Sequence, residues 1–234
     1  MLRTLQDLTR DANALKQQGR IGEAIGVYQE AVRQNPASAA ALHNLAAAYG
    51  DAGNHVDAER VAAMAMQGGL DAPETWLVRA RARFGMGDFG GADTAYRSAI
   101  ARRPENGAAR MELSQMIWMR TGERAAALSI FDPPAGAAAP VEAYLAYLKA
   151  QALEFMNEAD GALRLMRPLV ARLELPAELR APMLAFAAQL AAQTGDAAQA
   201  VALSAEAVRI ARPGDPGPLE AEVCALLAAG AYEK

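Results

Sequence analysis

A His-x-Asp triplet, His55-Val56-Asp57, is the stretch of this chain closest to a catalytic pattern. A histidine and a carboxylate at this spacing supply two ligands of a non-haem iron site, which needs a second histidine farther along the chain. The chain has two histidines, and the other one, His43, precedes the triplet. Gly-rich phosphate loops, Cys/His metal patterns and serine nucleophile elbows are also missing from the sequence. The sequence therefore predicts no catalytic residue, no metal site and no cofactor, and His55 is interpreted as a turn residue.

Small and apolar residues recur along the first half of the chain at a constant spacing of 34 positions. Alanine dominates the sequence and favours helix throughout. A period of this length in a helical sequence predicts units of two antiparallel helices, which stack because no single unit can bury its own apolar face. The recurring positions are Ala24, Ala58 and Ala92; Ala31, Ala65 and Ala99; Gly19, Gly53 and Gly87; and Leu8, Leu42 and Trp76.

The third unit shows how the residue types define one helix pair. A first helix is predicted over residues 74–86, and Gly87 ends it because glycine adopts the left-handed C-cap conformation without steric cost. Asp88 can then cap a second helix over residues 89–102, and Pro104 ends that helix. The predicted fold class is all-α, an α-solenoid of antiparallel helix pairs.

These positions resemble the tetratricopeptide repeat family, whose pattern places Trp or Leu, small residues, Tyr and Pro at fixed offsets. The resemblance implies a right-handed superhelix whose first helices line a concave face that holds a protein or peptide partner. The matching residues are Leu8, Ala12, Leu15, Ala24, Tyr28, Ala31 and Pro36 in the first unit; Leu42, Ala46, Tyr49, Ala58 and Ala65 in the second; and Trp76, Ala80, Ala92, Tyr96, Ala99 and Pro104 in the third.

The pattern extends along the chain with decreasing regularity. Residues 1–131 are predicted to form four regular repeats, in which Ala126 continues the series of Ala24 and Pro133 stops the last helix near Phe131. A Pro/Ala-rich break at residues 132–140 follows. Residues 141–234 are predicted to form two degenerate repeats and part of a seventh, about six repeats in one continuous solenoid. The helices expected there span residues 142–157, 160–173 (kinked at Pro168), 177–193, 196–211 and 219–229.

Composition and charge narrow the functional class. The net charge of −4 does not favour nucleic-acid binding. No apolar run approaches the roughly 20 residues of a membrane span, and no signal peptide is visible, so a cytoplasmic location without membrane contact is expected. The single cysteine, Cys224, excludes an intrachain disulfide and is interpreted as a small buried residue.

The resemblance places one position of each first helix on the concave face. Most residues at that position carry hydrogen-bonding groups, which could hold the backbone of an extended peptide. Methionine and aromatic neighbours could anchor side chains. The alternatives are solvated helix surface for the polar residues and inter-helix core for the others. The candidates are Asn13, Arg81, Gln115, Gln151 and Gln189 at the equivalent position, where Ala47 also stands, and Asn44, His43, Phe84, Met119 and Tyr147 beside it.

A carboxylate clamp, by which some members of the family hold the C-terminus of a chaperone, is not expected here. Asn13 and Asn44 match its two amides. Thr9, Glu74 and Val78 stand where its basic residues should be, so a terminal carboxylate would be poorly held.

The sequence thus predicts a scaffold that binds a protein or peptide and is a monomer or a weak homodimer. An alternative is the non-catalytic N-terminal region of a larger bacterial enzyme. Residues 113–122 resemble repeat regions fused ahead of 2-oxoglutarate- and iron-dependent oxygenase domains, and similar repeats precede sulfotransferase domains. The chain stops halfway through a unit, and the hypothesis from the sequence is that it is a fragment of a longer protein.

Overall fold

The computed structural model describes residues 3–212 together with Gly217 and Ala225. Within residues 3–212 the regular structure is entirely helical, which confirms the predicted fold class. Cys224 and the helix expected at residues 219–229 lie outside the described part, Ala225 apart. The helices are α1 (Leu5–Gln17), α2 (Ile21–Gln34), α3 (Ala39–Asp51), α4 (His55–Gln67), α5 (Pro73–Gly85), α6 (Phe89–Arg102), α7 (Gly107–Thr121), α8 (Arg124–Ser129), α9 (Ala139–Phe155), α10 (Ala159–Val170), α11 (Ala177–Gln193) and α12 (Ala197–Ile210).

Consecutive helices pack in pairs, as an α-solenoid requires. The pairs α1–α2, α3–α4 and α5–α6 lie in a first compact unit, residues 1–110, and α9–α10 and α11–α12 lie in a second, residues 111–234. Each pair also packs against the next one within its unit, through α2–α3, α4–α5 and α10–α11. We describe the two units separately.

The turn inside each pair depends on one residue with a positive φ. Gly19, Gly53 and Gly87 have φ values of 74°, 74° and 78°, a region that side chains with a Cβ rarely enter. Gly195 occupies the same turn before α12 with φ of 84°. In the pair α9–α10 this position is held by Asn157 at φ of 63°, since asparagine tolerates the left-handed region better than most residues.

Alanines of the 34-residue series lie in the buried core of the first unit. Ala24, Ala58 and Ala92 have no exposed surface. Their small side chains let paired helices approach, and added bulk there typically costs about 1–3 kcal/mol. Tyr28 and Tyr96, one turn after Ala24 and Ala92, are buried beside them. The small-residue prediction is therefore confirmed for these three repeats.

In the second unit the equivalent small residues Ala162 and Ala200 are also fully buried. The register is shifted in the pair α7–α8, which precedes them. The prediction for Ala126 was wrong: this residue is half-buried, and the next one, Ala127, is fully buried. The preceding positive-φ glycine, Gly122, likewise follows its equivalent by 35 residues rather than 34. One extra residue before the α7–α8 turn therefore moves the whole second helix by one position.

The predicted helix ends in the second unit are mostly correct. α8 has 6 residues and stops before Phe131, as the proline at 133 required. α9 starts at Ala139, inside the predicted break at residues 132–140. α10 ends at Val170, three residues earlier than expected, and Pro168 lies in its last turn.

Candidate functional site

The first helices of the first unit are joined side by side through polar contacts. Lys16 Nζ of α1 lies 2.7 Å from Asp51 Oδ2 of α3. The ring Nδ1 of His43 in α3 lies 3.1 Å from the hydroxyl of Thr75 in α5, which is fully buried. We call the surface formed by α1, α3 and α5, the first helices of the three repeats, the first-helix face.

A small pocket opens on the first-helix face between α3 and α5. It has a volume of 100 Å³ and is lined by Ala47 and Arg81, two residues at the equivalent position of successive repeats. The structure therefore brings these two positions together, as the sequence indicated. The remaining lining residues, which sequence reasoning did not select, are Gly50, Asp51, His55 and Val78.

His55 is held in this pocket by a close approach to α5. A Cβ at Gly85 would come within 2.3–2.5 Å of three ring atoms of His55, so the ring fits only because residue 85 is glycine. The Nδ1 atom of the ring is buried and has no hydrogen-bond partner among the described residues. His55 is the first residue of α4 and directly follows the α3–α4 turn, in agreement with its interpretation as a turn residue.

Two other candidates of the first unit, Asn13 and His43, have partners within the chain. The exposed Asn13 accepts a hydrogen bond of 2.6 Å from the buried Tyr28 hydroxyl, and it lines an open pocket of 690 Å³ along α1. His43 is half-buried, and burial lowers the pKa of its ring. The charge of Glu74 raises this pKa and the charge of Lys16 lowers it further. This imidazole is therefore largely neutral at pH 7.

Phe84 lies at the end of α5 and forms an aromatic pair with α6. Its ring meets that of Phe89 edge-on, with centroids 5.6 Å apart. The pair joins the two helices of one repeat, and Phe84 still exposes 37% of its surface. Asn44 is half-buried on α3 and Arg81 is exposed on α5.

In the second unit three candidates lie on two neighbouring first helices, α9 and α11. Tyr147 of α9 meets Phe186 of α11 edge-on at 5.6 Å. Burial raises the pKa of the Tyr147 phenol, the nearby Tyr144 adds to this, and a hydrogen bond with Gln151 opposes it. Gln151 is half-buried and Gln189, on α11, is exposed.

The last two candidates, Gln115 and Met119, both lie on α7 and differ in exposure. Gln115 is half-buried and Met119 exposes 60% of its surface. They are four residues apart and therefore share one side of the helix.

The residues at the clamp positions do not supply a cation. The hydroxyl of Thr9 donates to the carbonyl of Leu5, one turn earlier in α1. Glu74 is ion-paired with Arg103, and Val78 lines the small pocket.

Sequence reasoning missed a charged cluster on the opposite side of α5. The carboxylate of Glu59 in α4 accepts hydrogen bonds from both Arg79 and Arg83, at 2.6–3.2 Å. The guanidinium of Arg79 also lies 5.2 Å from the ring centre of Trp76, and Arg102 of α6 lies 4.7 Å from it. We call these residues, with Asp71, which binds Trp76 and Arg102, the Glu59 cluster.

Burial alone would raise the pKa of Glu59. The hydrogen bonds and charges of Arg79 and Arg83 outweigh that effect and hold the pKa of this carboxyl below its usual range. The cluster joins the second repeat to the third. A comparison of residues 34 positions apart in the sequence could have indicated it. Trp76, Arg79 and Arg83 replace residues that are aliphatic or aromatic one repeat earlier.

The described residues contain neither a metal-binding cluster nor a membrane-spanning helix. No group of three or more His, Cys, Asp or Glu side chains within this part of the chain comes close enough together to hold a metal ion. None of the helices in residues 3–212 combines the length and apolar character needed to cross a bilayer.

Comparison with known sequences identifies repeats in both units. Residues 12–53 match a family model described as "TPR repeat", and residues 77–149 match one described as "Tetratricopeptide repeat". No curated protein matches the chain.

Solved structures of repeat proteins share the fold at low sequence identity. Yeast Tom70 has a TM-score of 0.65 and 15% identity, over 97% of this chain and 47% of that one. Pseudomonas aeruginosa pilF has a TM-score of 0.54 and 15% identity, over 94% and 96% of the two chains. MamA has a TM-score of 0.51 and 18% identity, over 68% and 92%. At these identities the similarity establishes the fold alone.

Proposed function

We propose that this chain, which is a tetratricopeptide repeat protein, is a protein-interaction scaffold that binds a protein or peptide through its first-helix face. The observation that carries the proposal is the pocket between α3 and α5. Ala47 and Arg81, at the same position of successive repeats, line it together. Repeat geometry therefore presents a series of equivalent side chains along one face, and an extended peptide has a repeating backbone that suits such a series.

The chemistry of this face fits recognition of polar backbone groups. The guanidinium of Arg81 has five N–H donors and can hold a partner in addition to a contact within the chain. Asn44 on α3 adds an amide donor and acceptor. In the second unit the amides of Gln151 and Gln189 lie on neighbouring first helices, α9 and α11, beside the Tyr147–Phe186 pair. Each unit therefore has its own candidate surface.

We propose that the chain contributes binding rather than chemistry. Its polar side chains of unusual pKa are explained by structural contacts: burial accounts for His43, and paired arginines account for Glu59. Repeats of this type typically serve as interaction surfaces. If the native protein carries a catalytic domain, the same face would present a substrate protein to it.

Site-specific photo-crosslinking in cells that express the chain tests the proposal. A photoreactive amino acid at Ala47 places the reactive group in the pocket, and one at Arg97 serves as the control. Arg97 lies on α6, exposed and paired with Asp93, away from the first-helix face. We expect discrete covalent adducts with a partner from position 47 and none from position 97.

Substitution of Arg81 by Ala should weaken the adducts from position 47, while circular dichroism shows unchanged helicity. Adducts of equal yield from positions 47 and 97, or none from position 47, would contradict the proposal.

A further inference from the structure

A second groove lies on the other side of the first unit, between the second helices α2 and α4. It has a volume of 290 Å³. Its floor is apolar and comes from three buried side chains, Leu42 and Leu45 of α3 and Val61 of α4. Tyr49 extends this floor, and its hydroxyl accepts a hydrogen bond of 2.8 Å from Gln29. We call this site the second-helix groove.

Two guanidinium groups line the walls of the second-helix groove. Among its lining residues the two charged ones are Arg33 of α2 and Arg60 of α4. Each pairs with an acidic residue three positions earlier on its own helix, Glu30 or Asp57. These pairs are on the surface and such contacts contribute only about 0–1 kcal/mol, so a partner's carboxylate can compete for the same donors. Met64, 41% exposed, lies beside Arg60 at the mouth.

At the equivalent place one repeat later, side chains of the chain itself fill the groove. Leu42, Leu45 and Tyr49 stand 34 residues before Trp76, Arg79 and Arg83, the aromatic and basic residues of the Glu59 cluster. There an indole ring, three guanidinium groups and the carboxylate of Glu59 occupy the junction between α4 and α6. Between α2 and α4 the chain supplies no such set, because Ile25 stands where Glu59 stands one repeat later.

We propose that the second-helix groove binds a partner segment in which a large apolar side chain is followed within one helical turn by Asp or Glu. The apolar side chain covers Leu42, Leu45 and Val61, and the carboxylate binds Arg33 or Arg60. The partner thereby supplies the two elements, an apolar group and a carboxylate, that the closed junction provides from within the chain. The volume of the groove, 290 Å³, has room for one or two anchoring side chains.

This interaction is separate from the one proposed for the first-helix face. The second-helix groove shares no lining residue with the pocket of the first-helix face, so one partner can occupy each at the same time. The second-helix groove would therefore let the scaffold join two proteins through a single unit.

Selection from a displayed library of short random peptides on the intact chain tests the inference without assuming a partner. The double variant Arg33→Glu, Arg60→Glu serves as the counter-target, since both side chains are exposed and the fold should tolerate the change. The matched control is Arg97→Glu, which reverses an equally exposed, ion-paired arginine outside the groove. Fluorescence anisotropy then gives the affinity of each selected peptide for the three proteins.

We expect enriched peptides to contain a large apolar residue with Asp or Glu one helical turn away. Their affinity should fall at least about tenfold in the double variant and stay unchanged in the control. Met64→Asn should weaken them several-fold by removing part of the apolar mouth. Amide hydrogen exchange of the complex should show protection in α2 and α4.

Four results would overturn the inference. The first is a set of selected peptides without acidic residues, and the second is equal affinity of the peptides for the double variant and the intact chain. Peptides that protect α5 and leave α2 and α4 unprotected would support the function proposed above and refute a separate groove. Light scattering that shows a dimer, dissociated by Arg33→Glu with Arg60→Glu, would make a second copy of this chain the occupant instead.

Discussion

The Glu59 cluster makes a quantitative prediction about the junction of the second and third repeats. Glu59→Gln keeps the size of the side chain and removes its charge, which leaves two guanidinium groups beside a neutral amide. The side chains of Glu59, Arg79 and Arg83 are only 17%, 16% and 27% exposed, so water cannot fully replace the carboxylate.

The expected loss lies between two limits. Breaking an exposed ion pair costs about 0–1 kcal/mol, and removing one partner of a fully buried pair costs about 3–5 kcal/mol. Because the three side chains are mostly but not completely buried, we expect Glu59→Gln to lower the free energy of unfolding by about 2 kcal/mol. For a chain of this length that corresponds to a fall of roughly 4–8 °C in the melting temperature.

Differential scanning calorimetry measures this shift, and Glu30→Gln is the matched control. Glu30 also pairs with an arginine, Arg33, but the two side chains are 41% and 68% exposed. Its loss should therefore cost less than about 0.5 kcal/mol, or roughly 1–2 °C. Equal shifts for the two variants would refute the claim that burial makes the Glu59 contacts strong, and so would an unchanged melting temperature for Glu59→Gln.

Three further expectations follow from single contacts. The pKa of Glu59 is lowered in the folded chain, so the stabilisation that its charged form provides is present above the unfolded pKa of about 4.3 and is lost as the pH falls through the folded pKa. The difference in unfolding free energy between the parent and Glu59→Gln should therefore shrink in acid, as measured by urea titrations across pH. Gly85→Ala should destabilise the chain by about 1–3 kcal/mol because a Cβ meets His55, and should become neutral or stabilising when combined with His55→Ala, since alanine is the better helix former. In the second unit, Arg180→Met should cost about 3 kcal/mol because it leaves the carboxylate of Glu206 without its buried partner, whereas Arg209→Met, which removes a longer and exposed contact to the same carboxylate, should cost less than about 0.5 kcal/mol.

The backbone of this fold could be predicted from sequence because its rules are local. A positive φ at Gly19, Gly53 and Gly87 and a fully buried alanine five residues later are each determined by one residue type at one position. The one-residue shift of register at Ala126 could not be predicted from the sequence, because a single extra residue before a turn does not change the composition or the amphipathicity of the helix. Only the packing against neighbouring helices shows that Ala127 is buried instead.

The candidate site could be predicted only in part. The position shared by Ala47 and Arg81 does line one pocket, since equivalent residues of successive repeats must face the same way. The outcome for each side chain depends on what lies across from it in the neighbouring helix. His43 meets Thr75, and Tyr147 meets Phe186, so both are used in joining first helices. Such pairings involve residues 32 and 39 positions apart, and no local rule selects them.

The two repeat junctions of the first unit have equivalent helices but are filled by different side chains. This difference leads to a final prediction. Ile25 and Leu45 hold the positions of Glu59 and Arg79, so Ile25→Glu with Leu45→Arg should rebuild part of the charged junction between α2 and α3. Each single change alone should destabilise the chain, because it introduces an unpaired charge at a half-buried or buried site. Together they should recover at least about 1 kcal/mol through their interaction, measured as a double-mutant cycle in urea. The same pair should abolish binding of the selected acidic peptides, since an internal carboxylate and guanidinium would then occupy the groove. If the two changes prove additive, the repeat junctions are not equivalent and the comparison that supports the second-helix groove fails.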